Sequence, residues 1–446
     1  MNQFIETVKN IFSIEELRKR IFLTLGLLFI YRLGCFVILP GVDPGLVASQ
    51  SGNAGGLFQI FDLFAGGAFL KASVFALGIM PYISTSIVMQ LLTLAVPYFQ
   101  KMQKEGETGR KKITQYTRYG TVIVAGFQAV AYISLLTTQL KVVSPQVNML
   151  LFTLSTVIIL TAGTVFVMWL GEQIQERGLG NGTSLIIMAN IIARLPASFW
   201  AEVKARTVTG GGVLILIFEL VILALVIIST IMLIQAVRKV PLSYAKQMSG
   251  GNNAYTQRRG FLPLKVNVAG VMPIIFAQAF LFIPGTLVQL FPDSAASGIL
   301  RQITDFTSIP HNIIMFLMVV LFTYFYTALI MNPVQMADDL KRNNGFIPGV
   351  KPGANTAEYI DTVLSRITLP GSAFLGFIAI MPAFASMIGV NTQFAYFFGG
   401  TSLLILVSVV LDTMQQINSY LLSRHYDGLT KSGTKIRGRN LTTSDY

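Results

Sequence analysis

Ten apolar stretches, each close to the length a helix needs to cross hydrocarbon, dominate this chain: 21–39, 73–96, 119–138, 149–170, 183–200, 213–236, 266–290, 311–332, 369–390 and 394–415. A bilayer core about 30 Å thick takes about 20 apolar residues as a helix. The longest segment between two stretches, 333–368, has 36 residues, too short for a separate soluble domain. Charge agrees with this reading. Only 12% of the 446 residues are Asp, Glu, Lys or Arg, against about 25% in soluble proteins. The sequence therefore predicts an all-α membrane protein with ten transmembrane helices. Its first stretch lacks a small-residue cleavage site and reads as a span, not a removed signal peptide.

The basic residues set an orientation. With the N-terminus in the cytoplasm, the inner segments are 1–20, 97–118, 171–182, 237–265, 333–368 and 416–446, and they hold 26 of the 33 Lys and Arg. The outer segments 40–72, 139–148, 201–212 and 291–310 hold 5. Lys and Arg concentrate on the cytoplasmic side of membrane proteins, so both termini are expected there. The net charge of +13 is then a topology signal first. The other two cations, Arg32 and Arg194, fall inside spans. Five plus five spans suggest an N-terminal half 1–200 and a C-terminal half 201–446. An odd number of spans per half would place the halves in inverted topology.

The segment 58–96 does not fit one span. It is too long for one and too short for two with a turn, and only Asp62 and Lys71 are charged. Its first part, FQIFDLFAGGAF, contains Gly66 and Gly67. It reads as a short re-entrant or cavity-filling helix at about 58–72, followed by a full span. Such backbone survives at membrane depth only when buried in protein or lining water. An amphipathic helix on the outer surface is the alternative.

Enzyme chemistry is poorly supplied. The single cysteine, Cys35, excludes a disulfide framework and thiolate clusters. The two histidines, His311 and His425, sit at a span end and in the tail. No HExxH, CxxC, Walker loop or GxSxG occurs. The glycines of RGLGNG (177–182) lack the Lys-Ser/Thr of a phosphate loop and read as a tight turn. The expectation is no cofactor, no metal and no catalysis. Ion-coupled transport needs ionisable groups deep in the bundle, whereas Asp412 lies near an inner span end and Glu219 near an outer one. The span middles offer isoleucines instead. Ile79 and Ile83 share a helix face, as do Thr183 and Ile187, and Ile275 and Ile405 lie near span centres. Pro81, Pro273, Pro284, Gly270, Gly399 and Gly400 mark close helix approach or local unwinding. Any one of these isoleucines could equally be ordinary packing.

Longer motifs go further. The runs FAGGAFLKASVFALGIMPYISTSIVMQLLT (64–93), GEQIQERGLGNGTSLII (171–187), LPLKVNVAGVMP (262–273), GFIPGVKPGANTAEYI (345–360), GGTSLLILV (399–407) and LLSRHYDG (421–428) closely resemble the SecY family, the channel subunits of bacterial Sec protein translocases. They run in order over essentially the whole chain. The resemblance implies a clamshell of two inverted five-helix halves around an hourglass pore, hinged between spans five and six. It implies a plug over about 58–72, here Phe61, Asp62, Phe64, Gly66 and Gly67. It implies a pore ring at Ile79, Ile83, Thr183, Ile187, Ile275 and Ile405. An apolar constriction dewets and blocks ions without gripping a passing chain. Thr183 departs from the family's usual apolar residue; its hydroxyl can bond its own helix turn.

The resemblance also implies a lateral gate of the second and third spans against the seventh and eighth, with Gln90 and Asn181 expected in a polar cluster there. Loops 237–265 and 333–368 are expected to dock the motor ATPase SecA or ribosomal RNA through Lys246, Arg258, Arg259 and Lys351. Two departures stand in these loops: GGNN (250–253 region) where basic residues are usual, and Lys351 where Arg is usual, which loses a bidentate contact. Implied partners are the small subunits SecE and SecG, SecA, the ribosome, preproteins with signal sequences, and membrane lipids. The expected protein is a passive protein-conducting channel of the bacterial inner membrane. Its rivals are a small-solute transporter and a poreless membrane scaffold.

Overall fold

The computed structural model describes residues 14–50, 62–144, 148–208, 212–244, 258–278, 280–281, 298, 302–303, 305 and 307–431. Helix α1 spans Glu15–Gly34, with Glu15 and Glu16 in its first turn and Arg32 in its last, a polarity that suits the helix dipole. Beyond a short helix at Pro44–Gln50 and the turns of 65–79, α2 (Met80–Ala95) starts with a proline in its first turn. It bends by 95° into α3 (Pro97–Lys104). The cause is local: Pro97 forces Val96 into an extended conformation (φ −107°, ψ 118°) that no α-helix continues through.

Helix α4 (Glu107–Ser134) runs into a π-helical turn at Leu135–Gln139. Helix α5 (Met149–Arg177) is capped by Asn148, which accepts from the Leu150 N–H at 3.1 Å. The glycine turn leads to α6 (Gly182–Val208) and α7 (Gly212–Gln235). Strands β1 (Val237–Tyr244) and β2 (Arg258–Lys265) form an antiparallel pair. The chain is again helical at 272–278. Then come α8 (Ile309–Ile330), α9 (Pro333–Arg342), strand β3 (Gly345–Phe346), α10 (Ala354–Met387) and α11 (Gly400–Lys431).

Among the described residues, seven helices are long and apolar enough to cross a bilayer, and the bent α2–α3 pair makes an eighth. The expected first span is helical to Gly34. The expected seventh, 266–290, lies only partly within the described residues.

Three expectations are corrected. The second span begins at Met80, not 73, because 65–79 forms turns rather than helix, with Gly66, Gly67 and Gly78 at positive φ. Several helices outrun their apolar windows: α4 starts at Glu107, α6 ends at Val208 and α10 starts at Ala354. A hydropathy window sees only the hydrocarbon-length part of a helix, while backbone bonding continues beyond it. The inner loop 237–265 is not irregular but contributes two paired strands.

Close helix approach rests on glycine. A Cβ on Gly376 of α10 would lie 2.6 Å from the Phe316 ring of α8, and one on Gly120 of α4 would lie 2.6 Å from Thr85 Cγ2 of α2. Neither crossing would survive alanine without moving apart. One apolar core is N-terminal, around Leu39, Tyr132, Phe152 and Leu160. Another is C-terminal, around Ile274, Met315, Leu375 and Leu404. A larger central core joins elements from both ends of the chain, from Tyr31 to Val409.

Candidate functional site

Three of the six residues expected to form a ring lie in the central core. Ile79, Ile187 and Ile405 are buried in one cluster with Leu63 and Phe64 of the inserted segment. Ile79 precedes α2 as its cap, yet its carbonyl accepts from the Ile83 N–H at 3.1 Å, so the shared face is kept. Ile83 packs against this cluster and against a second one that contains Ile275. Ile83 thus bridges the ring's two parts. Thr183 joins through its methyl. A Cβ on Gly171 would lie 3.5 Å from Thr183 Cγ2 and 3.6 Å from Ile79 Cδ1, so both side chains converge on one spot. The Thr183 hydroxyl turns away and donates to Asn181 Oδ1 at 2.7 Å.

The inserted segment is a short turn-rich knot. Residues 62–64 are helical, after which the Gly67 N–H donates to the Asp62 carbonyl at 2.9 Å and the Leu70 N–H to Asp62 Oδ1 at 2.8 Å. Phe61 lies outside the described residues. Gly66 (φ +64°) and Gly67 (φ +92°) are required by conformation and by space. A Cβ on Gly66 would lie 2.5 Å from Arg32 Nη1 and Asn190 Oδ1.

The knot is gripped by side chains that sequence reasoning did not assign. Arg194 pairs with Asp62 Oδ2. Arg32 Nη1 donates to the Gly66 carbonyl at 3.1 Å and to Asn190 Oδ1 at 3.3 Å. Asn190 Nδ2 donates to the Phe64 carbonyl at 2.7 Å and to the Tyr31 hydroxyl at 2.8 Å. Two arginines inside spans were the available signal, since intramembrane charges mark function by default.

Gln90 and Asn181 are not joined by a hydrogen bond. Asn181 stands just before α6, and its side chain accepts from the Thr183 hydroxyl and, at 3.4 Å, from the Ser184 N–H, a local cap. Gln90 Oε1 instead accepts from the Tyr326 hydroxyl of α8 at 2.9 Å. That bond crosses an apolar seam of Ile87, Ala269, Phe276 and Tyr326, with Ile83 and Ile275 at its edge. An interhelical bond of this kind is worth roughly 0.6–2 kcal/mol, small enough for a switch.

The glycine turn is clamped from both sides. Thr24 Oγ1 accepts from the Leu179 N–H at 3.0 Å, and Gln416 Oε1 accepts from the Gly180 N–H at 2.8 Å. At the other end of α6, Arg206 meets two carboxylates, Glu202 at 2.8 Å and Glu219 of α7, both 1% exposed. Its Nη2 also donates to the Gly389 carbonyl at 2.8 Å, and Glu202 Oε2 accepts from the Asn391 N–H at 2.8 Å. This cluster ties the α6–α7 joint to the α10–α11 connection.

The two expected docking loops form one sheet, ordered β2-β1-β3. Ser243 is opposite Arg259 on one side and Phe346 on the other; Tyr244 is opposite Arg258 and Gly345. The Tyr244 ring lies between the two glycines, since a Cβ on Gly260 or Gly345 would lie 2.9 or 3.1 Å from it. Lys351 is exposed just beyond β3, its carbonyl accepting from the Thr356 hydroxyl at 2.9 Å. Lys246 lies outside the described residues.

This is a multi-spanning helical membrane protein in which Leu63 and Phe64 of a short folded segment share a buried cluster with Ile79, Ile187 and Ile405. The SecY family model matches residues 73–414. The protein translocase subunit SecY of Streptomyces coelicolor is 42% identical over 439 residues, covering 94% of this chain and 98% of that one. That of Vibrio cholerae is 40% identical over 435 residues, covering 96% and 97%. A solved protein-conducting channel superposes with TM-score 0.61 at 17% identity, covering 94% and 95%. The Sec61 chain of a canine ribosome–channel complex gives 0.58 at 16%, with the same coverage. The chain belongs to the SecY family.

Proposed function

We propose that this chain is the protein-conducting channel of a bacterial Sec translocase. It moves unfolded preproteins across the inner membrane and releases apolar segments sideways into lipid. The observation that carries this reading is that Ile79, Ile187 and Ile405 lie in the same buried cluster as Leu63 and Phe64 of the inserted segment. An apolar constriction excludes water and ions while empty and offers no polar grip to a chain in transit. Ile83, Thr183 and Ile275 complete the ring, and the segment at about 58–72, described from Asp62 onward, supplies the plug. The seam closed by Gln90 and Tyr326 is the side exit, which a signal sequence opens by displacing one weak hydrogen bond and apolar contacts.

The expected boundary at 200/201 falls inside α6, so the two halves divide after Val208 and move about the α6–α7 joint. Work comes from SecA or the ribosome. SecE and SecG are its small partners, and both termini face the cytoplasm, as the 26-to-5 basic bias supports. The proposed docking cations are Arg258 and Arg259 of β2, Lys351 just beyond β3 of the same sheet, and Lys246, which lies between β1 and β2 in sequence. Such cations suit RNA phosphate and acidic protein surfaces. Canine Sec61 and yeast Ssh1, channels of this fold, are ribosome-bound, which supports a ribosome as a partner.

A photo-crosslinker at Ile79 or Ile275 should label the mature part of an arrested preprotein, and one at Gln90 its signal sequence. Efficient export with no label at Ile79 and Ile275 would refute a pore lined by these residues and leave solute transport or a scaffold role. Separately, Lys351→Glu should slow SecA-driven export several-fold while the protein accumulates normally, because a rim charge acts on partner association. An unchanged export rate would remove Lys351 from the docking surface.

A further inference from the structure

The Asp62–Arg194 pair does something that neither the ring nor the apolar packing accounts for. Asp62 is 2% exposed. One of its oxygens is used inside the inserted segment, by the Leu70 N–H; the other reaches out of it to Arg194 on α6. Arg194 stands one helical turn beyond Asn190, so α6 presents both to the same segment. Arg32, at the end of α1, completes the grip on the Gly66 carbonyl. The cradle is built to the segment's shape, since Gly66 and Gly67 leave no room for a Cβ beside Arg32, Asn190 and Arg194 without displacement.

An ion pair here behaves differently from the apolar contacts around it. Its attraction scales inversely with the local dielectric, falling about fourfold between an effective value near 20 and the value near 80 of water. Apolar contacts to the waist are not weakened by water in this way, since the hydrophobic drive that keeps them buried exists only against water. Moreover, the buried Asp62 carboxylate without its partner is strongly disfavoured while the site is dry, whereas it is solvated once water enters; Arg194, partly exposed, is the less dependent of the two.

Building on the plug reading above, we propose that Asp62 and Arg194 form a hydration-released latch. The pair holds the segment seated while the waist is dry. It lets go when a threading chain parts the isoleucines and admits water, so the plug leaves only a channel that is already occupied. Arg32 and Asn190 are positioning residues: they place the Gly66–Gly67 turn so that Asp62 meets Arg194.

The test is ion flux through the full chain, reconstituted with its partner subunits in vesicles without preprotein. Asp62→Asn preserves shape and removes the charge; it should raise the idle leak by about fivefold or more, the lower end of ordinary coupling effects. The swap Asp62→Arg with Arg194→Asp should return the leak toward wild type, and a residue that only filled space would not respond to charge order. Deleting 62–70 gives the fully unplugged reference. If the deletion leaks and Asp62→Asn does not, the latch is wrong and the plug stands. If the swap leaks as much as the single variant, charge pairing is not what holds the segment. If the deletion itself does not leak, the plug reading fails and the latch with it.

Discussion

Replacing Arg206 by methionine is expected to cost the folded protein about 3–5 kcal/mol, the usual penalty for removing one partner of a buried ionic cluster. The reason is the arithmetic of charge at the α6–α7 joint. Glu202 and Glu219, each 1% exposed, share one guanidinium. Without Arg206, two acids face each other in a buried site, and the Gly389 carbonyl loses its donor. Methionine keeps the aliphatic length, so lost packing is a minor part of the effect. The measurement is thermal stability of the detergent-solubilised protein, followed by monodispersity after heating. Arg206→Lys should fall between, because a single ammonium cannot serve both carboxylates in fork geometry. Glu219→Gln should be close to wild type, since Glu219 Oε2 already lacks a partner and the substitution removes the surplus negative charge. The triple change Arg206→Met, Glu202→Gln, Glu219→Gln should recover much of the loss. A triple variant as unstable as Arg206→Met would show that packing, not stranded charge, dominates the joint.

The spans were legible because the bilayer leaves little choice. An apolar run of about 20 residues must bond its own backbone, and a helix is the way a single segment does so. Their ends were less legible, since α4 and α10 continue well past the apolar windows, where hydropathy says nothing. The paired strands β1 and β2 were hidden by Pro241 and Pro263, residues that normally argue against a strand. Here Pro263 pairs with Lys239 and Pro241 with Phe261, and the burial of Val240, Leu242 and Leu264 shows what holds the strands in place. The ring came from whole motifs resembling a family, because an isoleucine facing a pore and one facing lipid are the same letter. The Gln90–Tyr326 bond could not be read at all, as the two residues are 236 positions apart. Arg32 and Arg194 were visible only as a remainder in the count of basic residues. Their meaning depends on what they touch, and that is a tertiary fact.

The waist itself gives the second large effect. Ile187→Asn should raise ion flux through the idle channel by about 5- to 150-fold. Ile187 is 5% exposed, among Ile79, Ile405 and Phe64. An amide in that dry cluster is left without partners, at about 1–3 kcal/mol, and the penalty vanishes when water fills the constriction. A differential of that size shifts a two-state equilibrium by the stated factor. Ile187→Leu conserves volume and apolarity, costs less than about 1.5 kcal/mol, and should keep the seal. The decisive control is position. Ile158 on α5 is 60% exposed on the outer surface of the bundle, so Ile158→Asn should reduce accumulation without opening a conducting path. Potassium flux in vesicles at matched protein density separates the two. Equal leaks from both variants would mean a general packing defect, and a tight Ile187→Asn channel would mean that the barrier to ions lies somewhere other than this cluster.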